Sequence, residues 1–412
     1  MSAKKPAIVL ILITLFIDTM GFGIIIPVIP NLLKELTGNT NTSHAAFIGG
    51  FLITTYAVMQ FFCGPIFGGL SDRFGRRPVL LASLFGFGID YLITGFAPSI
   101  GWLFVARFFA GIFGASFTTG GAYISDISAP ENRAQNFGLI GVAFGLGFIL
   151  GPMIGGLLGN YGLRMPFFVA AGLTLINWIY AYFFLPESLK EENRRKFDWK
   201  RANPWGTFKS LFQYAVIKQL FIALTLVYIA AHAVQSNWSF FTDAAFHWGP
   251  KEIGISLTVV GVAFAIVQGG LIRVIIPKLG QSKSVYVGLM LTALGMVLYA
   301  FATQSWMMYA FTMVYCLGGI AGPALQGLMA GIIPPNAQGE LQGGFTSLMS
   351  LTSIFGPLLM NVVIFPYFTS ANAPVYFPGS AMLLGAVFCL IASVIARSAL
   401  KRAHPAVAPA NT

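Results

Sequence analysis

Apolar stretches long enough to cross a lipid bilayer recur along the whole chain, separated only by short polar breaks, and this pattern excludes most folds at once. A hydrocarbon core of roughly 30 Å takes about 20 apolar residues as a helix. With no water to satisfy it there, the backbone must bond to itself, which leaves helices for stretches of this length. The spacing predicts twelve spans, over 7–32, 45–69, 79–97, 101–124, 134–158, 165–185, 216–240, 252–274, 284–302, 306–330, 338–365 and 376–399. Only 9% of the residues are charged and 56% are hydrophobic, too little polar surface to cover a water-soluble globule. The fold class is therefore an all-α membrane protein. Because many apolar runs follow the first, that one reads as a retained span and not as a cleaved signal peptide.

Charge sets the orientation. One set of loops collects Lys4, Lys5, Arg73, Arg76, Arg77, Arg133, the run from Lys190 to Lys209, Arg273, Lys278, Lys283, Arg397, Lys401 and Arg402, whereas the other holds Lys34, Arg164 and Lys251. Cytoplasmic loops carry the lysine and arginine excess, so both termini are expected in the cytoplasm of a cell with an inner membrane. The net charge of +11 is thus topogenic and does not imply a nucleic-acid partner.

The one long polar stretch, with Glu187, Glu191, Glu192, Arg194, Arg195, Lys196, Asp198 and Lys200 intermixed, reads as a partly amphipathic linker. It divides the chain into residues 1–186, a linker at 187–214, and 215–412, two six-helix bundles. Faint internal repeats support the division: the segment from Gly111 echoes the one from Gly319, and that from Pro65 echoes the one from Arg273. Pseudo-symmetric halves of this kind place a solute site at the membrane midplane.

Cys63, Cys316 and Cys389 share no metal spacing and read as packing residues. There is no zinc-protease or phosphate-loop motif, so neither an enzyme nor a resident metal or cofactor is expected.

Four features carry mechanism. The turn Gly68-Gly69-Leu70-Ser71-Asp72-Arg73-Phe74-Gly75-Arg76-Arg77 combines glycines with one acid and three bases, suiting a charge-assisted latch between helix ends, with Asp126 and Arg133 as further members. Asp18 and Asp90 lie inside spans, where a carboxylate is costly and usually functional; each is either a proton site or a structural acid held by hydrogen bonds. Arg107, a base well inside a span, must meet a carboxylate or a wet cavity. Gly147, Gly151, Pro152, Gly155 and Gly156 make the fifth span bendable and able to pack closely. Tyr56, Gln60, Gln235, Asn237, Trp238, Gln268 and Gln326 could line a solute cavity, or bond helix to helix, and Tyr91, Phe240 and Phe241 could wall it.

The turn, with Arg107-Phe-Phe-Ala-Gly111 and Gly147-Phe-Ile-Leu-Gly151-Pro152-Met-Ile-Gly155-Gly156, resembles the major facilitator superfamily, and the last motif resembles its exporters. FIDTMGFGIIIPVIP from Phe16, YAVMQFFCGPIFGGLSDRFGRRPVLL from Tyr56, FHWGPKEIGISL from Phe246 and LTSIFGPLL from Leu351 are similar to the tetracycline-efflux branch. The resemblance implies a monomeric drug:proton antiporter in a lipid membrane, moving a small organic solute against protons, with the fifth span biasing which side opens. It also implies a functional role for Asp90. In that branch the eighth span carries a His and the ninth an Asp; here Phe264 and Thr292 stand in those places, which moves the expected proton site to the first half. His247 and Asp243 are expected near the outer surface, and the second half is expected to lack a buried titratable group. Uptake or facilitated passage of a metabolite such as a sugar, siderophore or carboxylate is the alternative.

The topology has a direct test. Single cysteines at Lys4 and Arg402 should both be labelled by an impermeant maleimide from the cytoplasmic face; reaction from opposite faces would refute the two-bundle arrangement.

Overall fold

The computed structural model describes residues 4–114, 116–128, 133–194, 215–333 and 338–403. Twelve helices are long and apolar enough to cross a membrane: α1 (Ala7–Thr37), α2 (Thr42–Phe74), α3 (Arg76–Phe96), α4 (Ile100–Ile127), α5 (Asn136–Gly159), α6 (Met165–Phe184), α7 (Val216–Gln235), α8 (Pro250–Leu279), α9 (Gln281–Ala300), α10 (Ser305–Ile332), α11 (Leu341–Thr369) and α12 (Ser380–Leu400). No strand occurs among the described residues. Several helices outrun the apolar limits, because hydropathy reports the thickness of lipid while caps decide where a helix stops. α1 runs on to Thr37 and ends at Gly38 in a left-handed conformation (φ +65°). α2 starts where the Asn41 side chain accepts from the Ser43 N–H at 2.8 Å.

One span was misjudged in kind. The stretch 216–240 reads as continuous, but α7 stops at Gln235 and a separate helix, Trp238–Phe246, follows. The Ser236 N–H and hydroxyl both donate to the His232 carbonyl, and the Ser236 carbonyl is taken by Asn361 Nδ2 of α11 at 3.1 Å. Side chains replace the helical ladder there, which an apolar profile does not register.

The chain forms two compact units. The first comprises Met1–Asn203 with His247–Gly261; within it α1 packs along α5 and α6, α3 against α4 and α6, and α2 against α4. Ile11, Leu15, Leu80, Leu84, Tyr123 and Leu185 are at its core. In the second, Pro204–Phe246 with Val262–Thr412, α7 packs on α11 and α12 and α9 on α10 and α12, around Leu220, Phe221, Leu289, Met329 and Phe345. Phe96, Phe183 and Val394 point outward, about 70% exposed (71%, 71% and 69%), as suits surfaces solvated by lipid chains.

The glycines of α5 set how tightly the first unit closes. A Cβ at Gly147 would lie 2.8 Å from Thr19 Cβ, one at Gly151 would lie 2.7 Å from the Met20 carbonyl, and one at Gly155 would fall on the Ile24 carbonyl. A stripe at every fourth residue thus lets two backbones touch, the small-residue packing that replaces hydrophobic drive inside lipid. The adjacent face of α5 takes the start of α8: a Cβ at Gly156 would lie 3.0 Å from Gly254 Cα, and Thr258 Oγ1 donates to the Ile149 carbonyl at 3.1 Å.

Gly155→Val should therefore cost about 1–3 kcal/mol in the thermal unfolding of purified protein, or block folding. Gly138→Ala on the same helix, where a Cβ meets nothing within 4 Å, should leave the midpoint unchanged.

Candidate functional site

Two carboxyls lie deep among the helices of the first unit, in different company. Asp90 on α3, 1% exposed, is ion-paired through Oδ2 to Arg107 Nη2 of α4, while its Oδ1 is buried without a partner. The buried base expected to meet an acid therefore meets this one. Asp18 on α1, 6% exposed, has no such cation among the described residues. The Ser116 hydroxyl of α4 lies beside it outside regular hydrogen-bond geometry. Gly21, one turn along α1, lets Tyr91 and Thr174 approach: a Cβ there would lie 3.2 Å from Tyr91 Oη and 3.4 Å from Thr174 Oγ1. Tyr91 stacks on Phe87.

Gln60 is spent on structure. Its Nε2 donates to the Gly114 carbonyl at 3.0 Å and to Tyr56 Oη at 3.1 Å, so α2 supplies the bond that α4 loses where its first segment, Ile100–Phe113, ends.

The α2–α3 turn is built around Arg76, which is 9% exposed. Its guanidinium donates to Asp72 Oδ1 at 2.5 Å, to Ser71 Oγ at 2.7 Å and, through Nε, to Asp126 Oδ2 at 3.1 Å. Gly75 adopts φ +105°, and a Cβ there would collide with the Glu187 carboxylate. That carboxylate accepts the N–H groups of Arg76 (2.8 Å), Arg77 (3.2 Å), Ser188 (2.9 Å) and Leu189 (3.0 Å), capping the start of α3 where helical N–H groups are unpaired and the dipole is positive. Ser188 Oγ donates to Asp126 Oδ2, Tyr123 Oη to the Pro186 carbonyl, and Arg77 to the Tyr182 carbonyl.

Of the predicted latch, Asp72, Gly75, Arg76, Arg77 and Asp126 come together. Arg73 does not: it is exposed and lies over the Phe74 ring. A Cβ at Gly68 would meet nothing, although its carbonyl accepts from Ser71 Oγ. The Arg133 side chain lies outside the described residues, as do linker residues 195–214. Glu187 is the member that sequence reasoning passed over as one linker charge among many; its position directly after Pro186 at the end of an apolar span was the available signal.

In the second unit Asn237 is fully buried and bonded to Asn361, a residue not singled out from sequence. Trp238 is buried edge-on to Tyr299, Gln326 donates to Tyr228 Oη at 3.1 Å, and Gln235 and Gln268 are exposed. Phe264 and Thr292 converge on neighbouring glycines of α10: a Cβ at Gly319 would meet the Phe264 ring, and one at Gly318 would meet Thr292 Oγ1. Thr292 Oγ1 donates to the Gly288 carbonyl, and Phe264 sits edge-on to Tyr315, so both places are occupied by packing.

Two expectations need correction. The second half does contain buried titratable groups, His232 at 9% exposure and Asp243 at 7%. His232 was hidden in an apolar run, and Asp243 is carried inward by the helix Trp238–Phe246, whose Phe240 and Phe241 are buried. His247, in contrast, is exposed. Among the described residues no three His, Cys, Asp or Glu side chains gather as a metal site.

A family model described as the Major Facilitator Superfamily matches residues 11–281 and 220–411. The chain is 38% identical over 389 residues to the tetracycline resistance protein, class C, of Escherichia coli, covering 94% of this chain and 96% of that protein. It is 28% identical to multidrug resistance protein 2 of Bacillus subtilis (strain 168), covering 93% and 94%. Among solved structures, the nucleoside transporter NupG superposes with a TM-score of 0.76 at 14% identity over 97% of this chain and 100% of that one, a likeness of fold.

The ion pair on α3 and α4 is open to a double-mutant cycle. Asp90→Asn leaves Arg107 charged and unpaired in a buried site and should cost about 3–5 kcal/mol of stability. Asp90→Asn with Arg107→Gln should cost clearly less than the sum of the two single changes, read from thermal unfolding in one detergent; strict additivity would mean that the pair does not form.

Proposed function

The chain belongs to the major facilitator superfamily and, within it, to the branch of the tetracycline resistance proteins; on that premise we propose that this transporter exports a drug-like amphiphilic organic molecule in exchange for protons by alternating access. It acts as a monomer in an inner membrane, in contact with lipid, with both termini in the cytoplasm.

The observation that carries the reading is the contrast between the two buried acids. Asp90 has its countercharge in Arg107, whereas Asp18 has none and can be neutral only by holding a proton. Asp18 is therefore the proton-exchanging group, and Asp90 with Arg107 fixes α3 to α4 beside it. The Arg76 network is a latch that holds in one state of the cycle and parts in the other, with Glu187, just past the end of α6, its anchor. The glycines of α5 let that helix shift against α1 without losing contact. The aromatic residues Tyr56 and Tyr91 suit a flat amphiphilic solute.

A second reading, facilitated passage or uptake of a metabolite without proton coupling, draws on Phe264 and Thr292, which put packed neutral side chains where the resembling exporters have a His and an Asp.

Inverted vesicles separate the two. Tetracycline should accumulate when a pH gradient is imposed and should release protons when added, and Asp18→Asn should abolish accumulation down to the vesicle background while retaining exchange of labelled for unlabelled drug. Gradient-driven accumulation persisting in Asp18→Asn would remove Asp18 from the mechanism. Transport without any pH change would favour the uncoupled reading.

A further inference from the structure

The break after α7 has more polar chemistry than is needed to end a helix. Asn237 Nδ2 donates to Asn361 Oδ1 at 2.9 Å, and Asn361 Nδ2 donates to the Ser236 carbonyl at 3.1 Å, so these three groups are mutually satisfied. Asn237 Oδ1 is left over, buried and without a partner. So is Nδ1 of His232, one turn back on α7, whose ring fills the space over Gly356, where a Cβ would collide with it.

Opposite them α11 is irregular. Pro357 has no N–H to give, and a π segment, Leu358–Ile364, follows, with Asn361 in it. Such π turns occur frequently at functional sites, and interrupted helices build the solute sites of many transporters. Two unsatisfied polar atoms in a lipid-embedded bundle are costly unless something arrives to bond them. All of these residues belong to the second unit.

We propose that this break is a hydrogen-bonding subsite for the transported solute, in which Asn237 Oδ1 accepts from a hydroxyl or amide N–H and His232 Nδ1 makes a second contact. The hydrogen-bond partners of Asn237 and Asn361 are neutral, so the subsite selects an uncharged polar edge of an amphiphile and not a carboxylate or ammonium group. Trp238, the next residue along from Asn237, is buried edge-on to Tyr299. This inference rests on the reading of the chain as an exporter of organic molecules, and it adds the polar chemistry that such a molecule must present.

The test uses the full chain with Cys63, Cys316 and Cys389 replaced by alanine. Asn237→Cys and Asn361→Cys are each exposed in inverted vesicles to 2-hydroxyethyl methanethiosulfonate, an uncharged reagent bearing a hydroxyl, with Ala392→Cys, in the core of the second unit, as the closed control. The two subsite positions should react roughly tenfold or more faster than the control. Tetracycline, rich in hydroxyl and amide donors, should slow the labelling of Asn361→Cys, which keeps the Asn237 acceptor, and tetraphenylphosphonium, which has none, should not. Labelling no faster than at Ala392→Cys overturns the subsite, because a purely structural break never opens to water. Equal protection by both compounds overturns the hydrogen-bond assignment. Export of tetracycline by the unsubstituted chain is measured in parallel: its absence refutes the export reading by itself, and the subsite then stands or falls on the labelling rates.

Discussion

Inside a bilayer no solvent molecule takes up a hydrogen bond that the chain leaves open, and the features that distinguish this protein sit where helical bonding is interrupted. α4 breaks after Phe113, and Gln60 of α2 donates to the exposed Gly114 carbonyl. α7 breaks after Gln235, and Asn361 of α11 donates to the exposed Ser236 carbonyl. Each repair ties one helix to another at a fixed height, so an interruption of secondary structure becomes a tertiary contact. In the second case the repair leaves polar atoms over, and that surplus separates a structural break from one suited to receive a ligand.

Charge follows the same rule with larger consequences. A guanidinium or a carboxylate among apolar helices must be paired, and Arg107 with Asp90 meets that demand internally. Arg76 does so at the helix ends, drawing Asp72, Asp126 and Ser71 around one side chain, while the Glu187 carboxylate covers the N–H groups opened by the left-handed backbone at Gly75. Against these satisfied groups Asp18 stands out as an acid with no base beside it. In the proposed exchange this is the carboxyl whose charge is not already cancelled by a neighbour.

Close packing links the two themes. Glycines on α5 bring its backbone against Thr19 and Met20 of α1, the residues that flank Asp18 on its C-terminal side. A displacement of α5 therefore bears directly on the surroundings of that carboxyl. The adjacent face of α5 seats the first turns of α8 within the same unit.

Twelve helices, their approximate ends, and Asp18 and Asp90 as buried acids of the first unit were legible in the residues, because lipid imposes one length and one polarity on every span and makes a charge within it conspicuous. Which acid Arg107 pairs with was not legible, since Asp90 and Asp18 are equally placed in one dimension and only helix packing brings one of them to the base. Glu187 was likewise invisible as a cap: the helix start that it caps, at Arg76 and Arg77, lies more than a hundred residues away, and its neighbours in sequence are charges of both signs. His232 and Asn361 went unmarked because a single polar residue does not dent an apolar average. Local hydropathy determined that the chain enters the membrane and how often; the pairing of polar atoms across helices, a property of three-dimensional distance, decided where its chemistry lies.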